Sequence, residues 1–525
     1  VRNGDLGGIP IDRAYATDFE ARFFRANWNW VVSPTLVNHF GWGHQWYDKR
    51  NIGLPGGLTN KDVNIPGIPT DGYGLPSMQP AGYSRMGNSD LSPEGTTDIT
   101  HVFTDTMSWT RGQHQIRFGG EYWTSNFSRR DRRGEGGKMV FNQLSTSQPN
   151  SANFGSWGDS LASMLLGEVW SGQLLKSGIA KHTWDTRYAA LYFEDKIQLT
   201  PKLTATLGVR YDYPTPIAIR QSSFSAIDLL LANPSAGGIP GAYRFGQEAD
   251  GLLQSHNEWA PRLALAYAVN DKTVLRAGYG VIYAQSNAQT NAPEIFGNRF
   301  QTGFSALSTP VTTDQGITPA FRLATGWPAF TGTVPDTDPG IQVGGVGDWI
   351  SPQSGHSAYT TNWNFSIQRE LPWNVVVDLT YVGVKGSRLP ANTESPSQVP
   401  ASYLSLGSTL LAAIDSQAAI DAGISAPYAG FTGSVGQALR PYPQYTSFVT
   451  HWNANGNHTY NALLMKVQKR FAKGLGFLAS YTLSKNISDT NGNAWSGINP
   501  AGIDTARRYL EKSISPFDQT HGLIT

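Results

Sequence analysis

The chain has 525 residues, 40 Lys and Arg against 39 Asp and Glu for a formal charge of +1, and no cysteine. That balance lacks the basic footprint of a nucleic-acid binder, and without thiols there is no disulfide, thiolate metal ligand or cysteine nucleophile. Mean hydropathy is −0.32 and no apolar run reaches the roughly 18 residues of a spanning helix, so a membrane role would require strands, whose alternation hides their lipid face. The 57 Gly, 16 Trp and 22 Tyr suit barrel turns and headgroup belts, or equally a large soluble β core.

Taken in chain order, alternation and turn residues predict hairpins at 19–46 about Ser33 and Pro34, and at 99–127 about Arg111 and Gly112. Others follow at 185–214 about Thr200 and Pro201, 258–284 about Asn270 and Asp271, 360–384 about Leu371 and Pro372, and 459–485 about Lys473 and Gly474. Pro lacks the ladder donor and Gly accepts positive φ, which is why these residues close hairpins. The clearest strand follows Pro201: Leu203, Ala205, Leu207, Val209 and Tyr211 hold one register, and Thr204, Thr206, Gly208, Arg210 and Asp212 the other. Such a strand is about as long as the roughly 9 to 11 residues that a tilted strand needs to cross a bilayer.

In 128–184, Met139 and Phe141 alternate with Val140 and Asn142, Val169 to Lys176 supplies a return strand, and Ser160 to Gly167 reads as a short helix. Counting that pair gives about fourteen strands and the start of another at Leu523, Ile524 and Thr525. The connections after 285 and after 385 are roughly seventy residues each, a length that is usually functional, and solute binding is expected to fall to aromatic and polar groups within 285–358 and 385–458. In the second, Tyr403, Leu406, Leu410, Leu411 and Ile414 fall on one helical face with Asp415 and Asp421 off it, as a lid or as a helix packed on its own loop.

Short turns alternating with long connections are the signature of a transmembrane β-barrel. Most charges respect a lipid face: Arg210, Asp212, Arg262, Arg276, Glu370, Asp378, Lys466 and Arg470 share the polar register with Gln468. Asp195, Arg369 and Lys469 break it, but all three lie near a short turn, where the interface lowers the cost.

No catalytic constellation is present: there is no G-x-S-x-G elbow, P-loop, H-E-x-x-H or EF-hand loop. His39 and His44 come nearest to a metal spacing, yet with Trp42 and Trp46 beside them they read as a strand and loop rim. Arg129, Arg130, Asp131, Arg132 and Arg133 form the densest charge cluster, either a phosphate-binding patch or a solvated loop tip. GGVGDW at 344–349 lacks the strand and helix of a dinucleotide site.

Four stretches carry a family likeness: YFEDKIQLTPKLTATLGVRYDY at 192–213, NEWAPRLALAYAVNDKTVLRAGYGVIY at 257–283, NWNFSIQRELPWNVVVDLTYVGVKGSRL at 362–389, and TYNALLMKVQKRFAKGLGFLASYTLSK at 459–485. With SLASMLLGEV at 160–169, LRPYPQY at 439–445 and the closing SPFDQTHGLIT, they resemble the barrel of TonB-dependent outer-membrane receptors, in the Oar-like branch. The resemblance implies an all-β, antiparallel, 22-stranded plugged barrel in the cell outer membrane of a Gram-negative organism, with long extracellular loops and short periplasmic turns. It also implies a TonB-type energy-transducing partner, contact with outer-membrane lipid and lipopolysaccharide, and an unidentified large or scarce solute.

The chain opens VRNGDLGG and stops within a fresh alternation. Beside what that resemblance implies, residues 1–525 read as one partial barrel, expected as an open sheet with two unpaired edges; the plug, the carboxypeptidase-regulatory-like N-terminal domain of full-length members and the last strands are the family parts it lacks. The expected function is transport by that barrel without enzymatic chemistry or cofactor, and no substrate-binding residue can be nominated. The alternative is a surface adhesin or secretion-associated barrel. A β-propeller fails because the hairpins recur too widely and irregularly for blades of roughly 40 to 50 residues.

Overall fold

The computed structural model describes residues 2–3, 15–53, 58–70, 75–87, 94–131, 134–149, 151–177, 181–215, 218–219, 224–246, 257–286, 302–391, 394–451, 453–472, 474–490 and 502–525. All six predicted hairpins form. They pair β1 (Tyr15–Ser33) with β2 (Leu36–Gly53), β3 (Glu94–Arg111) with β4 (His114–Asp131), and β5 (Lys181–Thr200) with β6 (Leu203–Pro214). Then come β7 (Trp259–Asn270) with β8 (Thr273–Ser286), β9 (Ser357–Leu371) with β10 (Val375–Leu389), and β11 (Gly456–Ala472) with β12 (Leu475–Ser488). The short β13 (His521–Ile524) runs along β12.

Each long strand is hydrogen-bonded to its sequence neighbour, so the sheet is one antiparallel meander. Sixteen strands belong to it, fourteen on the main path, and no ladder joins its two ends among the described residues. The short turns fall where Pro and Gly predict them. Gly112 takes φ 59° and Gly474 φ 81°, values a side chain rarely tolerates.

Register separates two faces. One row crosses seven strands as Ala205, Leu265, Ala277, Phe365, Tyr381, Leu463 and Leu483. The adjacent opposite-facing row runs Thr206, Ala264, Gly278, Asn364, Val382, Ala462 and Ser484. Leu265 is 52% exposed and Leu207 49%, so the apolar side is uncovered by protein. In water that would forfeit about 1.5–3 kcal/mol per large side chain, whereas a bilayer recovers it. No helix among the described residues is long and apolar enough to cross a membrane.

The register exceptions sit at the short-turn end. Asp195 places Oδ2 2.7 Å from Nδ1 of His114, beside the Gly112 turn, and Lys469 Nζ reaches the Ala472 carbonyl at 3.4 Å. At the other end β1 to β5, with 18 to 20 residues each, outrun the roughly 9 to 11 needed to span. They raise the long connections well clear of the apolar band.

Two expectations need correction. The pair expected within 128–184 forms, but outside the barrel sheet: Lys138–Phe141 and Ser171–Ser177 join Ser77–Pro80 and Ser305–Ser308 in a separate four-stranded sheet. Met139, Phe141 and Leu174 bury against other connections, a tertiary contact that alternation alone does not reveal. The segment from Tyr403 to Ile414 is not one helical face either. It is a 3-10 stretch, Ala401–Leu411, broken at Gly407 (φ 53°), with Leu411 85% exposed and only Ile414 buried. The helix near 160 is Ser160–Leu165, capped by Asp159, whose carboxylate accepts from the N–H groups of Leu161 at 2.7 Å and Ala162 at 3.2 Å.

Candidate functional site: a head built from the long connections

The long connections fold into a head with cores of its own. One core gathers Ile65, Ile68, Met139, Phe141, Val169, Leu174, Phe321 and Trp327, drawn from the β2–β3, β4–β5 and β8–β9 connections. Trp327 donates its indole N–H to Ser308 at 2.9 Å. Its ring lies on Gly172, where an added Cβ would stand 2.5 Å from the ring edge, so only glycine admits the contact.

The other face of that four-stranded sheet mixes polar and apolar side chains. Gln173 stands opposite Lys138, and Ser171 lies between Val140 and Val311. Together with Thr309 and Pro310 they line a cleft of about 270 Å³. Lys138 forms no ion pair among the described residues.

A second core packs Ile227, Tyr243 and Tyr445 with Phe245 and Phe448. Here Val346–Ile350 and Ser447–His451 form a parallel ladder between two different connections. Buried His451 sets Nε2 2.8 Å from Asp348 Oδ1, and the Asp348 N–H donates to Tyr243 Oη at 3.0 Å. Burial pushes the Tyr243 phenol up to about 12, reinforced by the Asp348 carboxylate. A third cluster, Ile414, Ala419, Phe431 and Val435, lies wholly within the β10–β11 connection.

Below the head, the polar face carries a charge network. Arg210 reaches Glu121 at 3.0 Å, Asp212 at 2.8 Å and the Tyr188 hydroxyl at 2.9 Å, and Tyr188 also hydrogen-bonds Asp212. Glu258, just outside the outer end of β7, is 1% exposed, and its Oε1 has no hydrogen-bond partner among the described residues. Burial pushes that carboxyl up to about 7, opposed by Ser357, raised further by Asp212 and lowered by Arg388.

The residues singled out in the sequence are dispersed. His39 bonds Asn29 at 2.6 Å on the polar face, while His44 lies on the opposite face against the His101 ring at 4.7 Å. No metal-binding cluster forms among the described residues. The arginine run divides too: Arg129 is buried and ion-paired to Glu94 at 3.2 Å, Arg130 is exposed, and Arg132 and Arg133 lie outside the described residues. For Arg129 the solvated-tip reading is therefore wrong, because alternation turns it to the polar face. Within GGVGDW, the strand Val346–Ile350 forms part of the parallel ladder. Both long connections proposed for binding contribute to the head, although 287–301, 392–393 and 452 lie outside the described residues. Lys138, Asp348, His451 and Glu258 carried no local signal in the sequence, since their partners are far away along the chain.

Comparison with known proteins adds a family and a set of partial structural likenesses. A family model described as an outer membrane beta barrel domain matches residues 3–525. The outer membrane transporter YddB from Escherichia coli is 11% identical, with 93% of this chain and 44% of that one covered at a TM-score of 0.49. The ferric yersiniabactin uptake receptor FyuA from Yersinia pestis is 8% identical, with 98% and 47% covered at a TM-score of 0.39. The pyoverdine outer membrane receptor FpvA from Pseudomonas aeruginosa is 10% identical, with 90% and 45% covered at 0.36. The chain thus spans less than half the length of these structures. No curated protein matches it.

Proposed function

The chain belongs to the outer membrane beta barrel domain family, and from that premise we propose that it is the wall and outer head of an energy-coupled uptake receptor. The barrel resides in the cell outer membrane, its apolar face against lipid and lipopolysaccharide and its long connections outside. The observation that carries the reading is the head itself: connections from separate hairpins fold into shared cores and a sheet with a cleft lined by both polar and apolar groups. Mere linkers between strands would not need that ordering, whereas a surface that captures a solute would.

In this reading the solute binds at the head and passes along the polar face when a TonB-type partner moves a plug supplied by the longer protein. The order of the sequence blocks supports the Oar-like branch as parent. No enzymatic step is assigned, because the chain carries none of the catalytic motifs sought in its sequence. The test is uptake by cells carrying the full-length gene, with and without the energy-transducing partner. Import should stop and surface binding persist when that partner is removed. Import that continues unchanged would sink the energy-coupled reading.

A further inference from the structure

We propose that the cleft floored by Lys138, Gln173 and Ser171 binds one sugar-sized unit bearing a single anionic group. This names a ligand class for the capture function above and rests on the head facing outward. The cleft's volume, about 270 Å³, is just below the roughly 300 to 1,000 Å³ of pockets that enclose drug-sized ligands, so one ring fits and a bulky chelate does not.

Chemistry selects among small ligands. Lys138 is a point charge with no acidic partner among the described residues, and a lone lysine favours an anion. Gln173, Ser171 and Thr309 are neutral groups that both donate and accept, which matches hydroxyls rather than a bare phosphate. Val140, Pro310 and Val311 supply an apolar flank for a ring's C–H face.

The site is also built before the ligand arrives. Lys138 and Gln173 are fixed by adjacent ladder positions, and Ser171 is bridged to Val311. Gly172, between Ser171 and Gln173, is clamped from behind by Trp327. With the backbone held on a ladder, binding has only the side-chain rotamers left to order, which favours affinity for a small ligand.

Calorimetry on the full chain in detergent, with glucuronate, glucose 6-sulfate and glucose as probes, tests this. Glucuronate or the sulfated sugar should bind at least about tenfold more tightly than glucose, and the better of the two identifies the anion. Lys138→Gln should weaken that binding about tenfold or more, while Lys138→Arg largely keeps it. Val311→Trp, which changes no charge and fills the cleft, should abolish it, with circular dichroism and heat-dependent gel mobility confirming the fold. Equal binding of glucose and both anions, an unaffected Lys138→Gln variant, or no binding of any probe at millimolar concentration overturns the proposal. Such a failure alongside partner-dependent uptake condemns this site alone; loss of partner dependence with binding intact condemns the uptake mechanism instead.

Discussion

His451 Nε2 stands 2.8 Å from Asp348 Oδ1, joining the β10–β11 connection to the β8–β9 connection through a pair whose imidazole is buried. Because the Asp348 N–H also donates to Tyr243, three connections meet at one residue. Asp348→Ala removes the acceptor that faces a buried imidazole, which should cost about 1–3 kcal/mol locally. Hydrogen exchange should quicken in 346–350 and 447–451 and stay unchanged in the β7–β8 hairpin. Uniform protection in both places would show that the pair does not hold the head together.

Glu258 predicts a pH dependence with a definite sign. Its folded-state carboxyl is pushed up to about 7 from an ordinary value of 4.5. The unfolded chain therefore ionises first, and the stability that Glu258 contributes is complete below about 4.5 and declines as pH rises toward about 7. Glu258→Gln should flatten that decline and strengthen the β7 entry at neutral pH. Denaturant titrations at pH 5 and pH 8 check this, and identical pH slopes for the two proteins would count against it.

The two faces should answer differently to the same charge. Leu265 lies in the apolar row and its neighbour Ala264 in the polar row. Arginine at Leu265 should cost about 2–4 kcal/mol if the site sits near the bilayer midplane, whereas arginine at Ala264 should cost far less. Folding into lipid vesicles under urea measures both. A larger penalty at Ala264 would invert the assignment of lipid and polar faces.

Gly172→Val tests the head core. Its Cβ would arrive 2.5 Å from the Trp327 ring, so the ring must move or the sheet must part. Overpacking of this kind costs about 1–3 kcal/mol. Trp327 loses its hydrogen bond to Ser308 and becomes wetter, which a shift in tryptophan emission relative to a Trp327→Phe control reads out. An unchanged spectrum would mean that the contact is not formed in solution.

Topology is open to direct labelling because the chain has no cysteine. Leu411 in a long connection is 85% exposed, and Trp373 in a short turn is 82% exposed. On intact cells a membrane-impermeant maleimide should modify Leu411→Cys and spare Trp373→Cys. The reverse pattern would turn the barrel over.

Legibility followed the range of the interactions. The six hairpins, their turns and the faces of Leu207 and Arg210 were readable because period-two alternation and turn chemistry are local. The pairing of Met139 with the Trp327 core was not, and alternation there pointed to a barrel strand that the fold places in the head. Likewise Arg129 looked like part of a solvated tip until its register put it beside Glu94.

By itself, then, the sequence determined a meander of bilayer-length strands with one apolar face, because neighbouring residues set both alternation and turns. Only the tertiary structure decided what the long connections become. Lys138 and Val311 at one cleft, and Asp348 and His451 in one pair, are brought together by packing between distant segments that no local pattern encodes.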